Sequence, residues 1–218
     1  MKPKVLISQL WNVPSRLGDK LGWDWLTYNP GVFLEFALVA RRNSPIFAKS
    51  IAKVFPNAEK ICDVGAGTGQ FVQALRKLGK SAEGFEYSSW GRAFARITGC
   101  GLGNFDLNAE PCLSETASYD LTFSLEVGEH IPDFLAPRFV KTLVDSAPIV
   151  VLTCAQPGQP GHGHINCQKK DYWINLFAHE SYVLSDAEQE MLLEEFGKYP
   201  RLSPFIVSNL MVFRKQST

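Results

Sequence analysis

The sequence predicts an α/β fold, with a mostly parallel sheet covered by helices on both faces. Short apolar segments that resemble strands alternate with amphipathic segments that resemble helices, as in repeated strand–helix–strand units. The segment at residues 147–154 is almost continuously apolar, which is typical of a strand buried on both faces. A glycine-rich turn follows the first strand and leads into a helix, as at the ligand-binding edge of such sheets.

The individual elements are predicted from their boundaries. A helix is expected from Ser44 to about Val54, because serine is a good N-cap and Pro45 suits the first helical turn. Strands are expected at residues 60–64, 81–86, 102–105, 119–125, 147–154, 182–184 and 209–214. Further helices are expected at residues 70–78, 88–97, 132–144, 169–179 and 185–197. The last of these opens with a capping box formed by Ser185 and Glu188.

Composition limits the possible partners and compartment. The 218 residues carry 22 Lys+Arg and 22 Asp+Glu, and this zero net charge argues against a large nucleic-acid footprint. No apolar run reaches the length of a membrane span, so we expect no membrane association and a cytoplasmic location. The five cysteines show no C-x-x-C pair, and Cys62 and Cys154 lie in strand-like runs, which predicts buried thiols.

The central motif is the segment at residues 61–69, Ile-Cys-Asp-Val-Gly-Ala-Gly-Thr-Gly. Glycine allows positive φ and close approach of a ligand to the backbone. The spacing G-x-G-x-G is one residue shorter than the dinucleotide fingerprint. Asp63 at the mouth of the loop would repel a pyrophosphate and favours a cationic ligand. Glu86 ends the second strand near the offset at which nucleotide-binding folds place an acid on ribose hydroxyls.

The segment from Asp63 to Gly69 resembles motif I of the class I S-adenosylmethionine (SAM)-dependent methyltransferases, and the resemblance extends over residues 44–215. It implies a Rossmann-like, doubly wound, seven-stranded sheet whose last strand is antiparallel. It also implies SAM as cofactor and S-adenosylhomocysteine as product. The cofactor-binding residues that it implies are Asp63, Gly65, Ala66, Gly67, Gly69, Glu86, Tyr87, Asp106, Leu107, Leu125 and Glu126.

Residues 1–43 lie outside the repeating pattern and are rich in aromatic and turn residues. We therefore divide the chain into an N-terminal extension, residues 1–43, and a methyltransferase domain, residues 44–218. In the resembling family such an extension often forms a lid over the active site. Trp23, Trp25 and Tyr28 are the candidates for substrate contact, although such aromatics also serve simply to pack an extension onto its domain.

The catalytic candidates follow the fourth and fifth strands. SAM carries an activated methyl group, so the protein must orient the acceptor and remove its proton. Residues 125–132 resemble the E-V-x-E-H segment of quinone-type O-methyltransferases and small-RNA 2′-O-methyltransferases. If this segment is helical, Glu126, Glu129 and His130 share one face. His164, in a Gly-His loop after the fifth strand, is expected near His130, and His162 is a further substrate-contact candidate.

Three interpretations of this group remain open. In the first, His130 or His164, together with Glu129, provides the general base for a small hydroxyl or amine acceptor. In the second, which the resemblance to the RNA enzymes implies, Glu126, Glu129, His130 and His164 bind a divalent metal ion. In the third, the same side chains only cap a helix and shape a loop.

Three functions follow from these interpretations. The preferred prediction is methylation of a small-molecule acceptor, most simply at a hydroxyl or acidic oxygen with a histidine as base and without a metal. The alternatives are a metal-dependent RNA 2′-O-methyltransferase, against which the neutral charge argues, and a SAM-binding module without activity. The sequence indicates neither the acceptor nor an oligomeric state.

Overall fold

The computed structural model describes residues 15, 27–113 and 118–216. Trp23 and Trp25 lie outside these residues. The strands are β1 (Lys60–Val64), β2 (Ser81–Glu86), β3 (Gly103–Asn104), β4 (Leu121–Leu125), β5 (Ile149–Thr153), β6 (Tyr182–Leu184) and β7 (Met211–Lys215). The helices are α1 (Pro30–Val54), α2 (Gln70–Arg76), α3 (Ser89–Ile97), α4 (Ala136–Ser146), α5 (Lys170–His179), α6 (Asp186–Gly197) and α7 (Pro204–Ser208). Short 3-10 turns cover Gly128–His130 and Asp133–Leu135.

The strands form one seven-stranded sheet in the order β3-β2-β1-β4-β5-β7-β6. Strand β1 is parallel to β2 and β4, and β4 is parallel to β5. Strand β7 is antiparallel to both of its neighbours, β5 and β6. The predicted fold class is therefore confirmed. Because β1, β2, β4 and β5 are parallel, the loops that follow them meet at one edge of the sheet.

Two apolar clusters, one on each face of the sheet, form the core. On one face Phe47 of α1 packs against Phe123 of β4 and Phe196 of α6, with ring centroids 5.0 and 6.2 Å away. On the other face Phe177 of α5 stacks on Phe213 of β7 at 3.8 Å. Each side chain of this size contributes about 1.5–3 kcal/mol when fully buried. The helices on both faces thus hold the loop-bearing edge of the sheet in place.

The predicted helix start at Ser44 is wrong. Helix α1 begins fourteen residues earlier, at Pro30, where the side chain of Asn29 accepts a hydrogen bond from the Gly31 amide at 2.9 Å. Pro45 lies inside the helix on its exposed face. Proline has no N–H to bond the carbonyl four residues back, so the helix lacks one backbone hydrogen bond at this position. The boundary drawn at residues 43/44 therefore falls within one continuous helix.

Smaller differences occur in the C-terminal part of the chain. Helix α7 was not predicted, although Ser203 and Pro204 repeat the serine–proline pattern of a helix start. The capping box at α6 lacks its expected bond, since the Ser185 side chain makes no cap hydrogen bond. Glu188 instead forms an ion pair with Arg214 of β7. The strands predicted at residues 119–125 and 147–154 are each two or three residues shorter in the structure, as β4 and β5.

All five cysteines are free thiols, and Cys62 and Cys154 are buried as predicted. Burial and the charge of the adjacent Asp63 raise the pKa of the Cys62 thiol well above its ordinary value. Within the part of the chain that the structure describes, no helix has both the length and the apolar character needed to cross a membrane.

Candidate functional site

The glycine loop between β1 and α2 is fixed by hydrogen bonds to the end of β2. The amides of Gly65 and Ala66 donate to the carbonyl of Phe85 at 2.8 and 2.9 Å. Gly65 has a φ of +80°, and a Cβ at this position would lie 2.4 Å from Cγ2 of Val127. Gly67 has a φ of +54°, and no atom lies within 4 Å of the place where its Cβ would be. The loop therefore packs tightly at Gly65 and leaves open space at Gly67.

Asp63 is the buried carboxylate at the start of this loop. Its side chain is 3% exposed, and Oδ2 has no hydrogen-bond partner among the described residues. Burial, followed by the charge of nearby Glu86, raises the pKa of the Asp63 carboxyl well above its ordinary value. A cationic group bound at this edge would offset that cost, because an opposite charge favours the ionised carboxylate.

Glu86, the last residue of β2, connects the two loops at this edge. One carboxylate oxygen accepts the Gly67 amide at 2.8 Å, and the other accepts the Ser88 amide at 2.7 Å. Burial raises the pKa of Glu86, while these backbone bonds lower it. Each carboxylate oxygen has a second lone pair, so Glu86 can also accept hydrogen bonds from two vicinal hydroxyls.

A cavity of about 580 Å³ extends from the glycine loop along this edge of the sheet. Its volume is in the range of small-molecule and cofactor sites. The predicted site residues that line it are Tyr28, Asp63, Gly65, Ala66, Gly67, Glu86, Tyr87, Asp106, Leu107, Leu125, Glu126, Glu129, His130, His162 and His164. Gly69 does not line the cavity. It is the left-handed N-cap of α2, and a Cβ there would lie 2.8 Å from Sγ of Cys100, so it serves the packing of the loop.

The hypothesis of a helical Glu126–His130 face is wrong. Glu126 has a φ of +56°, which breaks any helix at this point, and only Gly128–His130 forms a 3-10 turn. The Glu126 carboxylate accepts hydrogen bonds from Gln159 at 2.6 Å and from Asn209 at 3.0 Å. Neither amide was predicted as a site residue. They lie in a loop and before a strand, where neither periodicity nor a motif marks them.

Glu129, His130 and His164 converge at the wall of the cavity. One carboxylate oxygen or ring nitrogen from each residue lies within 4.8 Å of the others, and the two imidazole centroids are 5.1 Å apart. Nδ1 of His130 is 3.1 Å from the Gly163 carbonyl, and Nδ1 of His164 is 3.1 Å from the Gln159 carbonyl. A carbonyl only accepts, so Nδ1 carries the proton in each ring and Nε2 carries the lone pair in the neutral form.

Glu129 is fully buried, and neither of its carboxylate oxygens has a hydrogen-bond partner among the described residues. Its Oε1 lies 3.9 Å from Nε2 of His164. Burial, and then the charge of Glu126, raises the pKa of Glu129 from 4.5 to about 8. The backbone carbonyl of Glu129 accepts hydrogen bonds from the amides of Ile165 and Asn166, both at 2.9 Å, and so ties the end of the Gly-His loop to the 3-10 turn after β4.

Replacing Glu129 by glutamine is expected to flatten the dependence of stability on pH. Between pH 4.5 and about 8 the folded protein holds a proton on Glu129 that the unfolded chain has released. Stability therefore falls as the pH rises through this interval, and is lowest above the folded-state pKa. The free energy of unfolding of Glu129→Gln, taken relative to that of wild type, should therefore increase by on the order of 3 kcal/mol between pH 5 and pH 9. Urea denaturation of both proteins at both pH values, in the presence of a chelator, measures this difference in the free energy of unfolding.

The matched control for this substitution is Glu194→Gln, at an exposed position on α6. We expect the control variant to keep the pH dependence of the wild type. An equal slope for wild type and Glu129→Gln would show that Glu129 does not titrate with a raised pKa.

The opposite wall of the cavity is formed by the start of α1 and the residues before it. The Tyr28 ring stands edge-on to His130, with centroids 5.7 Å apart. The Ser15 hydroxyl donates to the Thr27 carbonyl at 2.9 Å, and it therefore accepts from Nδ1 of His162, also at 2.9 Å. Nε2 of His162 lies 3.7 Å from Oε2 of Glu35. Glu35 is a further cavity residue that the sequence analysis missed.

The fold and the site define a Rossmann-like α/β protein with a cofactor-sized cavity at the carboxyl edge of its parallel strands. Comparison with known protein families identifies the family to which the chain belongs. The sequence profile described as "Methyltransferase domain" matches residues 37–197, which is most of the chain. The chain therefore belongs to the methyltransferase domain family, and it is a class I SAM-dependent methyltransferase as the sequence predicted. Comparison with curated protein sequences gave no significant match.

Solved structures with the same fold include several methyltransferases. The sugar N-methyltransferase of a Streptoalloteichus species has a TM-score of 0.57 at 14% identity, over 91% of this chain and 92% of that one. An amino pentose methyltransferase from Micromonospora echinaspora also has a TM-score of 0.57 at 14% identity, over 78% and 88%. The magnesium protoporphyrin IX methyltransferase of Synechocystis, solved with bound S-adenosylhomocysteine, has a TM-score of 0.53 at 17% identity, over 64% and 71%. At these identities the similarity demonstrates a shared fold.

Proposed function

We propose that this protein transfers the methyl group of SAM to an oxygen atom of a small-molecule acceptor, with a histidine of the Glu129–His130–His164 group as general base. The observation that carries the proposal is that this group and the glycine loop line the same cavity. Cofactor-binding and proton-accepting groups are then available to one bound pair of reactants.

The cofactor end of the cavity suits SAM. Glu86 offers carboxylate oxygens for the ribose hydroxyls, and Asp63 offers a buried negative charge for the positively charged methionine part. Asp106 and Leu107 lie where the adenine is expected, with Leu107 buried and able to pack against the base. Three of the fold neighbours described above are methyltransferases, and one of them was solved with S-adenosylhomocysteine, the product that SAM leaves.

The proposed reaction is a single displacement. The acceptor hydroxyl gives its proton to Nε2 of His164 or His130 while its oxygen forms a bond to the methyl carbon. The carbon–sulfur bond breaks, and its electron pair returns to the sulfur, which becomes the neutral thioether of S-adenosylhomocysteine. The imidazolium is stabilised beside the carboxyl of Glu129, and it later releases the proton to water. A positioned base of this kind contributes about 10²–10⁴-fold to the rate.

A small acceptor is supported by the fold neighbours and by the shape of the site. Two of the neighbours act on sugars and one on a porphyrin, according to their names. The acceptor end is enclosed by residues 28–40 of the N-terminal part and by residues 159–164. We propose that this N-terminal part, including Tyr28, acts as the lid over the acceptor.

The proposal is tested by cofactor binding and by methyl transfer. Calorimetry with SAM and with S-adenosylhomocysteine is expected to give one saturable site per chain. Incubation with methyl-labelled SAM and a library of small hydroxyl compounds is expected to give labelled products. Absence of cofactor binding would contradict the cofactor assignment. Binding without transfer to any small acceptor would instead favour a SAM-binding module or a large acceptor such as RNA.

A divalent metal ion held by Glu129, His130 and His164 is a second candidate for the chemistry of this site. Both histidines donate Nδ1–H to a backbone carbonyl, as metal-binding histidines commonly do. The buried carboxylate of Glu129 could supply the third ligand. Glu126 does not belong to this group, since Gln159 and Asn209 bind its carboxylate. A bound ion would act there as a Lewis acid and acidify the acceptor hydroxyl.

Removal of metal ions distinguishes the two candidates. Because the proposed base needs no ion, dialysis against EDTA should leave the rate of methyl transfer within about twofold of its starting value. Added Mg²⁺ or Mn²⁺ should have no further effect. Loss of activity in EDTA and its recovery with one of these ions would replace the general-base proposal by the metal-dependent one.

A further inference from the structure

The charged side chains that line the described part of the cavity are all carboxylates, apart from the histidines. They are Glu35, Asp63, Glu86, Asp106, Glu126 and Glu129. In the proposed function, Asp63 and Glu86 bind the cofactor. Glu35, Glu126 and Glu129 line the part near the histidines, where the acceptor is proposed to bind. A ligand that brings hydrogen-bond donors and positive charge would complement this lining.

Glu35 lies near the start of α1 and has an unsatisfied carboxylate oxygen. Its Oε1 is buried and has no hydrogen-bond partner among the described residues. Its Oε2 lies 3.7 Å from Nε2 of His162, which is too long for a direct hydrogen bond. The Ser15 hydroxyl fixes the proton of His162 on Nδ1, so Nε2 of the neutral ring is an acceptor. Two acceptors thus face each other across a gap that a donor would fill.

The same arrangement occurs a second time in the cavity. Oε1 of the fully buried Glu129 lies 3.9 Å from Nε2 of His164, whose Nδ1 donates to the Gln159 carbonyl. Neither oxygen of Glu129 has a partner among the residues described. A buried carboxyl group without a hydrogen-bond partner is costly, and its position at the cavity wall indicates that a polar group of a bound ligand completes the site.

We infer that the acceptor carries an ammonium group, apart from the oxygen that is methylated, and that Glu35 is the residue that recognises it. This inference rests on the proposed function, because it assigns the reacting oxygen to the Glu129–His164 side. The ammonium donates to Oε2 of Glu35 and to Nε2 of His162, and so fills the gap between these two atoms. The acceptor is thus an amino alcohol in the broad sense, a class that includes amino sugars. Glu35 selects it against neutral and anionic compounds of the same size.

The test uses three small probes that differ at one end: 2-aminoethanol, ethylene glycol and glycolate. Each is titrated at pH 7 into the protein saturated with S-adenosylhomocysteine. Binding is followed by NMR of ¹³C-labelled histidine, since the chain has only four histidines. We expect 2-aminoethanol to shift the His162 signal and to bind at least about tenfold more tightly than ethylene glycol, as a charge-assisted hydrogen bond allows. Glycolate should bind more weakly than either.

The substitution Glu35→Gln keeps the size of the side chain and removes its charge. It should weaken 2-aminoethanol binding at least about tenfold and leave ethylene glycol binding unchanged. The control, Glu194→Gln on the exposed side of α6, should behave as wild type with all three probes. The inference is overturned if glycolate binds as tightly as 2-aminoethanol, if Glu35→Gln binds 2-aminoethanol normally, or if no probe shifts His162.

Calorimetry with S-adenosylhomocysteine on the same samples distinguishes failure of the proposed function from failure of the Glu35 inference. If the wild type does not bind S-adenosylhomocysteine, the proposed function fails. If it binds normally but the order of the probes is wrong, only the inference about Glu35 fails. A loss of S-adenosylhomocysteine affinity in Glu35→Gln would assign this carboxylate to the amino group of the cofactor and would also overturn the inference.

Discussion

Replacing Glu86 by alanine is expected to lower the affinity for SAM at least about a hundredfold. The substitution removes the acceptors that we propose for two ribose hydroxyls, and hydrogen bonds to a charged group contribute about 1.5–3 kcal/mol each. It also leaves the Gly67 and Ser88 amides without the carboxylate that binds them at 2.8 and 2.7 Å. The glycine loop then loses part of its bound conformation. Calorimetric titration with SAM and with S-adenosylhomocysteine measures the change.

Glu83 provides the matched control for Glu86. It lies on the same strand, β2, and accepts a hydrogen bond from the Tyr119 hydroxyl at 2.6 Å, but it is not one of the described residues that line the cavity. Glu83→Ala should therefore disturb β2 locally and leave SAM affinity close to wild type. We further expect Asp63→Ala to weaken SAM binding. Unchanged affinity in both Glu86→Ala and Asp63→Ala would contradict the cofactor assignment.

The substitution His164→Ala is expected to lower kcat by about 10²–10⁴-fold and to leave SAM affinity close to wild type. His164 lines the cavity, and the Gln159 carbonyl orients its ring so that Nε2 lies 3.9 Å from Oε1 of Glu129. Its loss removes the proposed proton acceptor but no contact assigned to the cofactor. Single-turnover transfer from methyl-labelled SAM separates the chemical step from binding.

Two further variants make this experiment decisive. His130→Ala should also slow transfer, because its ring stands beside that of His164 at 5.1 Å. His179→Ala, at an exposed position near the end of α5, should have wild-type activity. If neither His130→Ala nor His164→Ala slows methyl transfer, then both the general-base proposal and the metal candidate are wrong, and the group has a structural role.

The cofactor end could be predicted from the sequence because its signals are local. The nine residues at 61–69 contain the end of a strand, a glycine turn and the N-cap of the following helix. Glu86 ends the next strand, and the parallel register of β1 and β2 brings it beside the loop. Backbone conformation and strand period decide these positions, and both can be read from adjacent residues.

The acceptor end could be predicted only in part. The E-V-x-E-H pattern indicated residues that line the cavity, but the predicted helical period fails where Glu126 adopts a positive φ. Glu35, Gln159 and Asn209 reach the site from distant parts of the chain, and only tertiary packing brings them together. The start of α1 was predicted wrongly because the sequence contains two possible helix starts. A polar N-cap followed by proline occurs at Asn29 as well as at Ser44, and packing against the core decides between them.

The arrangement of β5, β6 and β7 has a consequence for biosynthesis. Strand β7 lies between β5 and β6, and β6 has no other partner in the described sheet. A chain leaving the ribosome therefore keeps β5 as an open edge until residues 211–215 emerge. Asn209, which immediately precedes this strand region and binds Glu126, arrives at the same late stage. A partly synthesised chain thus has its glycine loop long before the acceptor wall is complete.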